Sequence, residues 1–315
     1  RLIMQYFVTS LSVVLPLFIL LAIGYCIRVS KIVSYGALKE MNNVTFRLFI
    51  PILLFSNIYH SNLREGVPFK LIGFGIGSLA VMFLVYMLLV PKLERDNAKR
   101  GVMVQAICRA NFVLFGLPIA VLLDGQGSVG TASLLVGATV PFMNIISVIA
   151  LESFRGKGLN YKNMIKSIMK NPIIIGAVLG VLLSLSNIKL PVFVETVLTD
   201  IAKIATPLAL IILGGTVTFT TVVTNRKQIF FSVANRLVVI PLIGLTIAVL
   251  LGFRNTELIV LMTMFASPTA ISSYSMAQQM EGDAELAGQL VVFTTAFSII
   301  TLFVWVYLIQ VLGYI

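Results

Sequence analysis

Apolar residues in this chain run in long, nearly unbroken stretches separated by short polar connections. Neither strand-like alternation nor the one-sided stripe of a surface helix organises them. A helix needs about 20 mostly apolar residues to cross a bilayer. Ten stretches qualify, at 6–27, 44–60, 70–91, 101–123, 131–151, 171–187, 204–222, 229–252, 257–280 and 288–312, referred to here as spans 1 to 10. The longest connection runs from Glu152 to Lys170, which leaves no room for a folded soluble domain. Continuous runs exclude a membrane barrel, whose strands alternate. The first stretch exceeds a signal-peptide core and reads as a retained helix. The pattern predicts an all-α polytopic membrane protein with ten transmembrane helices.

Composition identifies the solvent. The 315 residues are 58% hydrophobic and 11% charged, with a mean hydropathy of +1.02. Soluble domains are about 45–50% apolar and about 25% charged. Only lipid can cover this much apolar surface. Two cysteines, Cys26 and Cys108, make no disulfide framework, and a single histidine, His60, all but excludes zinc. No Ser/His pair, His-Glu-x-x-His or paired intramembrane aspartates suggest an enzyme, and no cofactor is expected.

The net charge of +11 is a topology signal, not a nucleic-acid patch. The connections after spans 1, 3, 5 and 7, with the start of span 8, hold 16 of the 23 Lys and Arg residues. Arg226, Lys227 and Arg236 are counted among them. The other connections and the N-terminus hold six, Lys203 included. The positive-inside rule then puts the odd connections in the cytoplasm and both termini outside a cell membrane.

An internal duplication is visible. Gly24 and Pro51 recur 156 residues later as Gly180 and Pro207. Gly127, Ala132, Thr139 and Phe142 recur 155 later as Gly282, Ala287, Thr294 and Phe297. With five spans per copy, residues 1–155 and 156–315 would enter the membrane from opposite sides, as inverted repeats. Carriers built this way bind substrate at discontinuous helices near mid-membrane. Two candidates lie at matching places. Span 4 carries Arg109, Asn111, Gly116 and Pro118; span 9 carries Pro268 followed by Thr269, Ser272 and Ser273. Proline frees backbone carbonyls, and Asn, Ser and Thr side chains can satisfy them or hold a ligand. Plain helix kinks are the structural alternative.

Arg109 is the one charge placed well inside a span. Its guanidinium grips a substrate carboxylate, bonds helix-end carbonyls, or snorkels to the cytoplasmic surface. The twelve acidic residues fall in connections or at helix ends, which disfavours carboxylate-based cation coupling. His60, at a span end, reads as a surface residue.

Five motifs carry a family resemblance. They are Leu15-Pro16-Leu17 through Gly24-Tyr25; Phe49-Ile50-Pro51-Ile52-Leu53-Leu54-Phe55; Asn111 through Pro118; Thr206-Pro207-Leu208-Ala209-Leu210 through Gly214; and Ser267-Pro268-Thr269-Ala270. In order and spacing, over nearly the whole chain, they resemble the auxin efflux carrier family. The chain lacks the long cytoplasmic loop of the plant members and looks like the compact, mostly bacterial branch, which includes malate and other organic-acid permeases. The resemblance implies a scaffold of spans 1, 2, 6 and 7 and a transport unit of spans 3–5 and 8–10. Spans 4 and 9 would cross at their breaks around a bound anion, and the unit would shift like an elevator. Asn111 matches the family's crossover asparagine, Pro268 its crossover proline and Thr269 the polar residue after it. Ala110 departs from the plant pattern, which has proline there, and this puts plant-type auxin specificity in doubt.

The expected function is secondary transport of small organic anions, malate-like or auxin-like. Its partners are the anion and the lipid bilayer, without nucleic acid, and a homodimer stays open. A sodium-coupled symporter of related fold and a non-transporting membrane ligand sensor are the rival readings.

Overall fold

The computed structural model describes residues 2–60, 68–124, 127–155, 169–186, 188–216 and 222–315; the side chains of 2–14, 116–118, 121–122 and 127–130 lie outside the described set. Arg64, Lys157, Lys162 and Lys166 also lie outside it. The described residues form helices and short connections. Five helices are long and apolar enough to cross a bilayer: Phe69–Leu93, Thr131–Ser153, Val192–Thr216, Arg226–Leu250 and Ala284–Val311.

In chain order, α1 is Leu2–Val29. Helices α2 (Tyr35–Val44) and α3 (Ile50–Tyr59) are joined by one wide helical turn, Thr45–Phe49. Next come α4 (Phe69–Leu93), α5 (Asn97–Cys108), α6 (Phe112–Asp124) and α7 (Gly127–Ser153). Then follow α8 (Pro172–Ser186) and α9 (Val192–Thr216). Helices α10 (Arg226–Ala234) and α11 (Ile240–Leu250) again share a wide turn, Asn235–Val239. Last are α12 (Asn255–Ala266), α13 (Ser272–Gln279) and α14 (Ala284–Val311). Each expected span falls on one helix or on a joined or interrupted pair. Polar side chains set the starts: Ser34, Asp96 and Asp283 cap α2, α5 and α14 by accepting the N–H of Ala37, Ala98 and Leu286.

Proline explains the wide turns. Pro51 and Pro241 lack the N–H that would bond the carbonyl four residues back, so the helix spreads there. For Pro241 that carbonyl belongs to Leu237, and the Trp305 indole N–H takes it at 2.9 Å.

Two boundaries differ from expectation. α9 starts at Val192 rather than 204, and the second span starts at Tyr35 rather than 44. In both, polar residues lowered the hydropathy of a segment that is nevertheless helical. Thr199 and Lys203 face cavities described below, and Asn42 and Thr45 are buried and hydrogen-bonded. Lys203 and Asp200 thus belong to a long apolar helix, not to a connection.

Contacts between connections sort them into two ends. At one end, Tyr59 bonds Ile188, Lys70 bonds Leu251, and Asp124 bonds Thr256. At the other, Lys99 bonds Asn225, Asp283 bonds Ala98, and Arg155 pairs with Glu281. α1 lies along α9, and α3 along α8. Both pairs approach through glycine: a Cβ on Gly24 would sit 2.0 Å from the Ile211 carbonyl oxygen, and one on Gly180 3.0 Å from that of Phe55. The short helices α5 and α12 are buried on every side over 101–108 and 258–266. Leu84, Leu88, Phe230 and Ile243 point outward, as lipid contacts should.

Candidate functional site

α5 and α6 are interrupted at Arg109–Asn111, and α12 and α13 at Ser267–Ile271. The two breaks meet. The Asn111 N–H donates to the Pro268 carbonyl at 2.7 Å, and the Ala270 N–H to the Arg109 carbonyl at 3.1 Å, a short antiparallel bridge centred on Ala110 and Thr269. The break in the first pair is therefore not at Gly116 or Pro118. Both lie within the helical stretch 112–124, their side chains outside the described set. Proline inside a helix is tolerated here, as at Pro16, Pro91, Pro141 and Pro207.

Four helix ends converge at this junction, two negative and two positive. The negative ends, the C-termini of α5 and α12, are gathered by Arg236. Its guanidinium donates to the carbonyls of Ser267 (2.8 Å), Ile107 (3.1 Å), Met264 (3.0 Å) and Phe265 (3.1 Å). Arg236 is 1% exposed. The expectation that Arg109 is the one charge well inside a span is thus corrected. Arg236 lies seven residues into an apolar run, yet its proximity to Arg226 and Lys227 made it read as a surface base.

The positive ends, the N-termini of α6 and α13, open on a cavity of about 430 Å³. Asn111 and Arg109 line it with the first turn of α6, Ser272 starts α13, and α7 contributes Asn144. α3 and α9 supply the opposite wall, with Asn57, Thr206 and Lys203. The first-turn N–H groups of a helix have no acceptor within it; at α13, those of Ser273 and Tyr274 donate to the carbonyls of Ala270 and Ile271 at 2.9 and 3.2 Å, so α6 is the end with the more open donors. The charged residues of the lining are Arg109 and Lys203, both cationic.

Each predicted residue has a distinct place. Arg109 is 3% exposed and donates to the Asn144 amide oxygen at 2.5 Å and the Met276 sulfur at 2.6 Å, both neutral acceptors. The amide nitrogens of Asn111 and Asn144 are buried without a hydrogen-bond partner among the described residues, as is the Ser273 hydroxyl. Ser272 is half-buried on the cavity wall. Thr269 does not line the cavity. It is fully buried, its hydroxyl donates to Ala106 at 2.8 Å, and its N–H donates to Thr294 at 3.1 Å, so it fastens the junction. Pro268 is buried and acts through its carbonyl. Sequence reasoning passed over Arg236, Asn144 and Lys203.

A second cavity of about 370 Å³ shares Asn57 and Val113 with the first and reaches His60, whose Nε2 lies 2.8 Å from Glu195. It leads toward one end of the bundle. On the other side of the junction, polar side chains close the gap. The Asn42 amide donates to Gln278 at 2.5 Å, Ser275 donates to Asn42 at 2.6 Å, and Tyr274 donates to Thr216 at 2.6 Å. Among the described residues, no group of three His, Cys, Asp or Glu side chains could hold a metal ion.

Interrupted apolar helices meeting at a polar cavity define a membrane protein built to handle a solute within the bilayer. Residues 9–306 match the family model described as membrane transport protein, and the chain belongs to that family, the auxin efflux carriers. The motif resemblance is therefore borne out. An uncharacterized transporter of Methanocaldococcus jannaschii is 23% identical over 310 residues, covering 94% of this chain and 97% of the relative. An uncharacterized transporter of Methanothermobacter thermautotrophicus is 22% identical over 311 residues, covering 95% and 98%.

Proposed function

We propose that this transporter carries small organic anions across a cell membrane by elevator-type alternating access. One observation carries the reading. The junction cavity collects two helix N-termini, Arg109 and the amide nitrogen of Asn111, which has no partner among the described residues, and those residues place no carboxylate in its lining. Donors and positive potential without a counter-charge favour a negatively charged guest. The volume lies within the range of about 300–1,000 Å³ usual for small-molecule sites.

Two features support the inverted repeat and the two-body motion. The contact between Gly24 and Ile211 reappears, with both residues moved by 156, as that between Gly180 and Phe55. These contacts join spans 1 with 7 and 2 with 6, the members of the expected scaffold. The bonds from Asn42 and Thr216 to α13 then join scaffold to transport unit on the side away from His60, which supports a state open toward His60. Moving Arg47, Arg236 and Lys203 out of the count of connections leaves 14 basic residues against five, a bias that under the positive-inside rule favours the His60 end outside. An inside-negative potential aids anion export by about 2.3 kcal/mol per charge per 100 mV. A sodium cage of junction carbonyls is disfavoured, because those of Ala106, Ile107, Arg109, Met264, Phe265, Ser267 and Pro268 already accept protein donors.

The test is dicarboxylate flux in proteoliposomes with and without an imposed potential. Asn111→Ala and Pro268→Ala should each reduce flux at least tenfold while unfolding temperature stays near that of the parent. If both variants transport like the parent, the junction is not the site.

A further inference from the structure

The charge of the substrate can be read from the cavity, given the anion-transport reading above. Lys203 lies eleven residues into α9, about 16 Å along the helix axis from Val192. Its neighbour Ile204 is 49% exposed on the lipid-facing side. Lys203 is among the residues that line the junction cavity, and its side chain is 70% exposed. One of its three ammonium donors meets Asp200 one turn earlier, at 3.2 Å. Asp200 is itself 63% exposed and does not line the cavity. That leaves two donors on a residue that lines the same cavity as Arg109.

We infer that Lys203 is a specificity-determining residue that binds the second anionic group of a dianionic substrate, the first being held at Arg109 and Asn111. A monoanion held at Arg109 would leave Lys203 with Asp200 as its partner, a carboxylate outside the described lining. A compact space of about 430 Å³ is about 9 Å across, enough for one short diacid reaching both walls. Asn57 and Thr206 provide further hydrogen-bonding groups on the Lys203 wall. Arg109 sits at the junction and Lys203 on α9, so a dianion would bridge the two bodies, and a monoanion would touch only one. Asp200 acts as a weak internal competitor, occupying one Lys203 donor until substrate arrives.

The probes are succinate and glutarate, each against its monomethyl ester, which keeps the chain and removes one charge. Binding is read by isothermal titration on the purified full-length chain in detergent. The parent should prefer each diacid to its monoester at least tenfold. Lys203→Gln should abolish that preference, leaving monoester affinity within twofold, and Lys203→Arg should retain it. Arg109→Gln should weaken all four ligands. Asp200→Asn should tighten the diacids two- to fivefold. Lys203 is exposed, so its variants should unfold at the parent temperature. Equal binding of diacid and monoester by the parent, or an unchanged preference in Lys203→Gln, overturns the assignment and leaves anion transport standing. Binding of none of the four overturns the anion reading and the Lys203 assignment together.

Discussion

Replacing Arg236 by methionine tests the architecture of the junction directly. The side chain keeps an unbranched apolar stem, ends two atoms shorter, and loses its charge and all five donors. Four carbonyls lose a charge-assisted partner, at 2.8, 3.1, 3.0 and 3.1 Å. Such bonds contribute about 1.5–3 kcal/mol each, a gross loss of roughly 6–12. Against that stands the desolvation of a guanidinium that is 1% exposed, a penalty of several kcal/mol that the variant no longer bears. The difference is about 3–5 kcal/mol, the range found when one partner of a buried charged pair is removed. At about 2 °C per kcal/mol, the unfolding temperature should fall by 6–10 °C. Trp305 is the single tryptophan and bonds the carbonyl of Leu237, next to Arg236, so its fluorescence reports on this region. Arg236→Lys should recover less than half the loss, because a point charge cannot span carbonyls from two helices. Arg109→Gln removes bonds to only two neutral acceptors and should shift the temperature less than half as far. A fall under 2 °C for Arg236→Met would refute the view that this arginine holds the two C-termini together.

Three further outcomes follow from the geometry. Asn42→Leu with Thr216→Val removes three hydrogen bonds to α13; at about 1 kcal/mol each, the closed side should open roughly 30–150-fold more often. Labelling of a cysteine at Ser272, with Cys26 and Cys108 replaced by alanine, reads this from each side of sealed vesicles, and unchanged labelling from the side opposite His60 would sink it. Burial alone would raise the Glu94 carboxyl, yet the Asp96 N–H, the Gln228 amide and the Arg95 N–H hydrogen-bond it and hold it below its ordinary 4.5. Its stabilisation is thus complete above that value and lost as pH falls through the depressed native one, so Glu94→Gln should flatten the decline in unfolding temperature below about pH 5; an identical acid limb in parent and variant counts against it. Leu237 loses its indole donor in Trp305→Phe, which should cost about 1 kcal/mol, measured by circular dichroism during heating.

How much of this was legible in the sequence depends on where each signal lives. Long apolar runs and symmetric polar interruptions are properties of the chain read in line, so the spans, both breaks and the family emerged from it. Asn111 and Pro268 were found because a polar residue or a proline in an apolar run is conspicuous. Arg236 was missed for the opposite reason. Its partners are backbone carbonyls 28 to 129 residues away, and a carbonyl has no side-chain signature. An arginine seven residues into an apolar run was the available clue. Lys203 was misplaced because hydropathy treats polarity as evidence against a span, whereas a helix facing a wet cavity is polar on that side. Thr269 was given a ligand because nothing in one dimension distinguishes a hydroxyl facing a cavity from one bonded to Ala106.

On the proposed reading, these residues together would make the junction select anions. Two helices broken at the same depth bring in equal numbers of positive and negative ends, and by symmetry alone such a site has no preference for sign. Arg236 breaks the balance. By occupying the carbonyls of α5 and α12 from behind, it satisfies the negative ends with protein charge and leaves the N-termini of α6 and α13 as the exposed ones. Arg109 instead bonds two neutral groups, the Asn144 amide oxygen and the Met276 sulfur. Under the proposed anion reading, selectivity for a negative solute would arise from which helix ends are already paired, and the roles of the two buried arginines would not be interchangeable.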